Sequence, residues 1–168
     1  MTPAELLVEG YDRIQEAVHE VVGGLTPDQL TQRPRPDANS IAWLIWHLTR
    51  VQDDHVAEVA GRGQRWTEDG WAERLGLALE PNDTGYGHST EQVAKVRVPS
   101  GDLLTGYYDA VHADTLRYLR TVQEGDLDRI VDRRWTPPVT LGVRLVSVLD
   151  DDLKHAGQAA YVRGLLGA

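Results

Sequence analysis

The segment Asn39-Ser40-Ile41-Ala42-Trp43-Leu44-Ile45-Trp46-His47-Leu48 opens the stretch whose reading decides the fold. Asn39 or Ser40 offers a side-chain oxygen to cap a helix start. Behind it, Ile41, Leu44, Ile45, Leu48, Val51, Val56 and Val59 follow helical spacing until Gly61-Arg62-Gly63 stops the pattern. The same grammar extends upstream. Thr2-Pro3-Ala4-Glu5 is a capping box with proline at the first helical position, and Leu6, Leu7, Tyr11, Ile14, Val18 and Val21 carry a helix to about Val22, before Gly23-Gly24. Thr26-Pro27-Asp28-Gln29 starts one short turn ahead of the Arg33-Pro34-Arg35-Pro36 break.

Downstream, residues 64–88 are rich in Gly, Asp, Asn and Trp, with a short helical possibility from Glu68 to Leu75. A connection this long in a compact domain usually serves a function, such as a wall or lid over a pocket. Ser89-Thr90-Glu91-Gln92 starts a further short helix. A third long helix follows Pro99 with Leu103, Leu104, Tyr107, Val111, Leu116 and Leu119. A fourth runs from about Thr140 to Leu166, after the Trp135-Thr136-Pro137-Pro138 linker. There is no internal repeat and no strong strand pattern. The expectation is all-α: a four-helix bundle forming one domain over residues 1–168, with a long loop between its second and third helices.

Composition narrows the function. The chain has 168 residues, 41% of them hydrophobic, and 26 acidic against 17 basic residues give a net charge of −9. That charge disfavours nucleic-acid binding through a general basic surface. No run approaches the roughly 18 to 20 apolar residues of a membrane span, and Met1 to Arg13 lacks the basic and apolar regions of a secretion signal. A cytoplasmic protein is the expectation. With no cysteine there is no disulfide, no thiolate metal site and no cysteine nucleophile.

The fourth helix holds the chemistry. In Leu149-Asp150-Asp151-Asp152-Leu153-Lys154-His155, Asp151 and His155 lie one turn apart on one face, a spacing at which a carboxylate and an imidazole can share a metal ion. Periodicity leaves rivals. Asp152 continues the apolar seam of Leu145 and Val148 and also reaches toward His155. On the second helix, His55 lies nearer the centre of the apolar arc than His47. A solvated run of aspartates beside a core histidine explains the same pattern without any metal. Trp66, Trp71 and Tyr86 either line a cleft or pack the loop on itself, and Asp54 lies too far from His47 to share an ion. His19, His88 and His112 show no partner in the sequence.

The segments Asn39 to Leu48 and Asp151-Asp152-Leu153-Lys154-His155-Ala156-Gly157-Gln158, together with Arg163, resemble the DinB-like metalloprotein superfamily. The likeness is greatest to its thiol-dependent branch, which includes mycothiol-dependent maleylpyruvate isomerase and the mycothiol and bacillithiol S-transferases. The resemblance implies that His47, Asp151 and His155 are the metal triad. The common pattern has histidine at the position of Asp151, the mycothiol-linked isomerase pattern has glutamate there, and Gln158 stands where that branch often has histidine. Two imidazoles and a carboxylate suit zinc with an open position, and also iron(II), nickel or manganese. Trp43, one turn before His47, and Arg163, two turns beyond His155, are the candidate substrate-binding residues.

The function this implies is zinc-dependent transfer of a low-molecular-weight thiol such as mycothiol to an electrophilic small molecule, as in detoxification. The alternatives are a thiol-dependent isomerase, a metal-dependent hydrolase and a non-catalytic metal- or thiol-binding stress protein. A homodimer through a spare apolar face of the first or third helix is a further possibility.

Overall fold

The computed structural model describes residues 1–168. Helices α1 (Pro3–Val22), α2 (Pro27–Thr31), α3 (Ile41–Ala60), α4 (Arg65–Glu68), α5 (Trp71–Leu75), α6 (Thr90–Lys95), α7 (Gly101–Leu119) and α8 (Leu141–Leu166) follow in order. A 3-10 turn (Glu124–Asp128) and the strands β1 (Ile130–Asp132) and β2 (Val139–Thr140) precede α8. The sequence signals place most ends. Thr2, Thr26 and Ser89 close reciprocal capping boxes, Ser40 Oγ accepts from the Trp43 N–H at 3.1 Å, and Gly61 ends α3 in a left-handed conformation.

The four long helices α1, α3, α7 and α8 share one continuous apolar core, with α3 against α7 and α8, and α1 against the same two. Polar ties cross that core. Tyr11 donates to the Leu145 carbonyl at 3.1 Å, joining α1 to α8, and Gln52 donates to Thr115 at 2.8 Å, joining α3 to α7. The antiparallel β1–β2 ribbon had no strand signal, because two or three residues per strand are too few to show alternation.

The connection after α3 is not a bare loop. It carries α4, α5 and α6, and Trp66 and Trp71 are both buried in the core rather than lining a cleft. As a result α3 is covered on nearly every side, with fifteen of its twenty residues buried. Arg50 and Asp53 anchor the covering segment from within α3, both with fully buried side chains 3.8 Å apart. Asp53 accepts the backbone N–H groups of Arg65 and Trp66 at 3.0 and 2.8 Å, which caps α4, and the Tyr107 hydroxyl at 2.9 Å. Arg50 donates to the carbonyls of Asp83 and Pro81 at 3.1 and 3.4 Å and to Gln64 at 2.8 Å. Replacing Arg50 by methionine leaves two loop carbonyls without their cation and Asp53 with only the Arg62 guanidinium, 3.7 Å away. The expected cost is about 3 kcal/mol or more in urea unfolding, and a loss below about 1 kcal/mol would show that the clamp does not hold the segment.

Candidate metal centre

His47 sits midway along α3 with its ring buried. Its Nδ1 donates to the Thr84 carbonyl at 2.5 Å, so the lone pair is on Nε2. On α8, His155 Nδ1 donates to Gln158 Oε1 at 3.0 Å, which fixes the same tautomer. The two rings meet edge to face with centroids 4.8 Å apart, and His155 Nε2 lies 3.6 Å from Asp151 Oδ1. One ligating atom from each of His47, Asp151 and His155 falls within a mutual separation of 4.8 Å. Asp151 Oδ2 is buried with no hydrogen-bond partner.

These features suit a metal ion. Both imidazoles present a free Nε2, a carboxylate oxygen is unmatched, and a modest contraction reaches the spacing of about 3.3 Å between ligands of a tetrahedral zinc. Burial holds the His47 pKa below its ordinary value against the pull of the Thr84 carbonyl, and His155 lowers it further. A neutral imidazole is the form that ligates.

The loop after α5 frames the centre. Gly85 has φ +89°, and a Cβ there would lie 2.8 Å from the Trp46 ring and 2.9 Å from His47 Nδ1, so only glycine allows this approach. Asp83 accepts from the Gly85 N–H at 2.8 Å and from His88 Nε2 at 2.9 Å. His88 Nδ1 in turn accepts from Trp43 Nε1 at 3.1 Å. Trp43 stacks on His47 at 4.6 Å and meets His155 edge-on at 6.1 Å, so the candidate substrate-binding tryptophan is a wall of the centre. Sequence reading left His88 unassigned and did not single out Gly85. The only available signal was the Asp83-to-His88 spacing inside a glycine-rich loop.

The centre opens on one side to a cleft of about 370 Å³ bordered by His47, Asp151, Val51, Tyr86 and Arg144. A larger depression of about 640 Å³ lies behind Gln158, and none of the three clustered residues borders it. His55 is at the far end of the cleft, its Nδ1 accepting from Arg144 at 3.2 Å. Burial, and then Arg144, keep its pKa below the ordinary value. It is not among the clustered residues, and neither is Asp54, which accepts from Gln64 at 2.7 Å.

Two further sequence candidates are placed elsewhere. Arg163 does not face the cleft: its guanidinium donates to the carbonyls of Glu20, Val21 and Gly23 at 2.6 to 3.0 Å and to Ala168 at 3.0 Å. It neutralises the C-terminal end of α1, so the substrate-binding reading of Arg163 is corrected to a helix-end clasp. Asp152 lies wholly inside the core, both carboxylate oxygens unpartnered, on the face of α8 turned from the centre toward Tyr11 and Tyr108.

A family model described as the DinB superfamily matches residues 11–159. The chain belongs to the DinB superfamily. A solved structure described as a conserved protein of locus from Enterococcus faecalis has 36% sequence identity to this DinB chain and a TM-score of 0.92, covering 100% of this chain and 99% of that one. No curated protein matches the chain.

The two adjacent aspartates should separate in experiment. Burial, with the Asp151 charge adding to it, holds the Asp152 carboxyl well above the ordinary carboxylate range. The folded chain therefore keeps a proton that the unfolded chain releases above about pH 4, and stability falls as pH rises from there until the folded pKa is passed. Without metal, Asp152→Asn should be more stable than the parent at pH 8 by about 1 kcal/mol or more, with a smaller difference at pH 5. It should retain metal binding, whereas Asp151→Asn should lose stoichiometric metal in elemental mass spectrometry. The opposite ranking would assign the site to Asp152.

Proposed function

We propose that this DinB protein is a metal-dependent S-transferase that joins a low-molecular-weight thiol, such as mycothiol, to an electrophilic small molecule. In the overall reaction a carbon–sulfur bond forms and the bond from carbon to the leaving group breaks. The thiol proton departs with the leaving group. The observation that carries the reading is a two-histidine, one-carboxylate cluster, Asp151 included, at the end of a cleft in a chain with no cysteine of its own. A divalent ion in such a donor set, zinc by default, supplies the acidity that makes a thiolate available at neutral pH.

The chain's own residues hold the geometry. Thr84 and Gln158 fix both imidazole tautomers, and the Gly85 backbone and the Trp43 ring pack against the His47 ring. Val51 and Val148 give the cleft apolar walls, and Arg144, its guanidinium paired with Asp132 at 3.1 Å, borders it beside His55. Asp54 also borders the cleft, but it is tied to Gln64 and lies about 10 Å along α3 from His47. A carboxylate so placed is poorly suited to acting as a base beside the centre.

The test is to purify the chain without added metal, measure metal per chain, and then supply mycothiol and monobromobimane before and after chelation and zinc reloading. About one metal per chain and zinc-dependent S-conjugate formation, with one thiol consumed per product, are expected. Isomerisation that regenerates the thiol, hydrolysis that needs none, or metal binding with no turnover would each replace the transferase reading.

A further inference from the structure

The depression of about 640 Å³ sits between residues 32–39, ahead of α3, and the last turns of α8. None of His47, Asp151 and His155 borders it, so it is separate from the cleft at the metal cluster. Its volume falls within the range of small-molecule sites, roughly 300 to 1,000 Å³. Leu44, Val162, Leu165 and Leu166 give it an apolar lining. Leu165 is 56% exposed and Tyr161, also at its border, is 70% exposed, so nothing within the chain covers this surface.

Charge sets the depression apart. The chain has 26 acidic and 17 basic residues, yet the lining holds no carboxylate and two guanidinium groups, those of Arg33 and Arg35. Four other depressions, of about 370 to 630 Å³, each include at least one acidic residue, among them Glu5, Asp28, Glu20 and Asp54. The sign of the field is thus locally reversed against the net charge of −9.

The two arginines are also incompletely matched. Arg33 donates from Nε to the Ala38 carbonyl and from Nη1 to the Thr90 carbonyl at 3.1 Å, and no carboxylate forms an ion pair with it. Those carbonyls satisfy two donors without neutralising the charge. Its Nη2 is shielded from water and has no acceptor, so one guanidinium nitrogen still lacks the partner that its burial calls for. Arg35 pairs with Asp37 at 3.1 Å, but both side chains are mostly exposed, and a pair of that kind contributes little and yields readily to a second anion.

We propose that this depression is a second ligand site, one that binds an amphipathic carboxylate. The anionic head lies beside Arg33 and Arg35, and an apolar body of medium length covers Leu44, Val162 and Leu165. The lining selects this class over others. A cation finds no carboxylate there. A neutral apolar molecule leaves the Arg33 charge unmatched, and a small anion leaves the apolar lining wet. The site stands independently of the S-transferase reading, because it uses none of the clustered residues.

The test is isothermal titration calorimetry of the intact chain, as purified, with octanoate, octanol and acetate, each taken to about 5 mM. One octanoate per chain is expected, with a dissociation constant of about 0.1 to 1 mM, and octanol and acetate should each bind at least about tenfold more weakly. Leu165→Glu places a like charge on the lining at an exposed position, so it should weaken octanoate at least about tenfold with thermal stability unchanged. Arg35→Gln removes one cation and leaves Asp37 unpaired, and it should weaken octanoate about threefold or more. Asp151→Asn should bind octanoate as the parent does. Absence of octanoate binding at about 5 mM, or octanol binding as tightly as octanoate, would overturn the proposal. So would octanoate binding that survives Leu165→Glu but is lost in Asp151→Asn, since the carboxylate would then be held at the metal cluster.

Discussion

A guanidinium sealed from water has to find acceptors, and Arg50 finds them in the main chain of the segment that covers α3. Its bonds to the Pro81 and Asp83 carbonyls, and those of Asp53 to the start of α4, turn a long connection into a fixed layer. One turn before Arg50 on the same helix lies His47, and the loop position set by Arg50 is the one that brings the Thr84 carbonyl to His47 Nδ1. The orientation of the candidate metal-binding cluster thus depends on a buried ion pair that never touches it. Buried pairs of this kind do little for net stability compared with apolar packing, yet they are costly to break, which suits a device for fixing one arrangement.

The helices were legible because their signals are local. A capping box at Thr2, a glycine stop at Gly61 and three- and four-residue apolar spacing each act within a turn or two. The connecting segment was less legible because its fold depends on Asp53 and Arg50, which meet it from another helix. Periodicity also misjudged prominence on α3: His55 lies nearer the centre of the apolar arc, yet it is partly exposed while His47 is buried. An arc argument assumes that one face of a helix is covered, and α3 is covered almost all round. Asp152 and Asp151 differ in the same way. The seam position is indeed the deeper one, and for that reason it faces the core and not the opening. Family resemblance, rather than spacing, had pointed to His47, Asp151 and His155.

Arg163 shows the opposite difficulty. It lies two turns beyond His155 on one helix, but a guanidinium near the end of one helix will bind the free carbonyls at the end of another if they are within reach. The sequence does not reveal that the C-terminus of α1 stops beside it. Gln158, in contrast, has a role that the local spacing already contains, since a residue three places after His155 lies directly over its ring.

The group that orients His47 is a carbonyl of the main chain, and this changes how the loop can tolerate mutation. The side chain of Thr84 contributes nothing to that bond, so many residues should serve at position 84. At Gly85 the requirement is for the absence of a side chain, and at Arg50 it is for a cation that no cleft-lining contact would reveal. The sites most sensitive to change are thus a hydrogen atom in place of a methyl group and a charge hidden inside a helix. A survey that weighs residues by their nearness to the cleft would miss both.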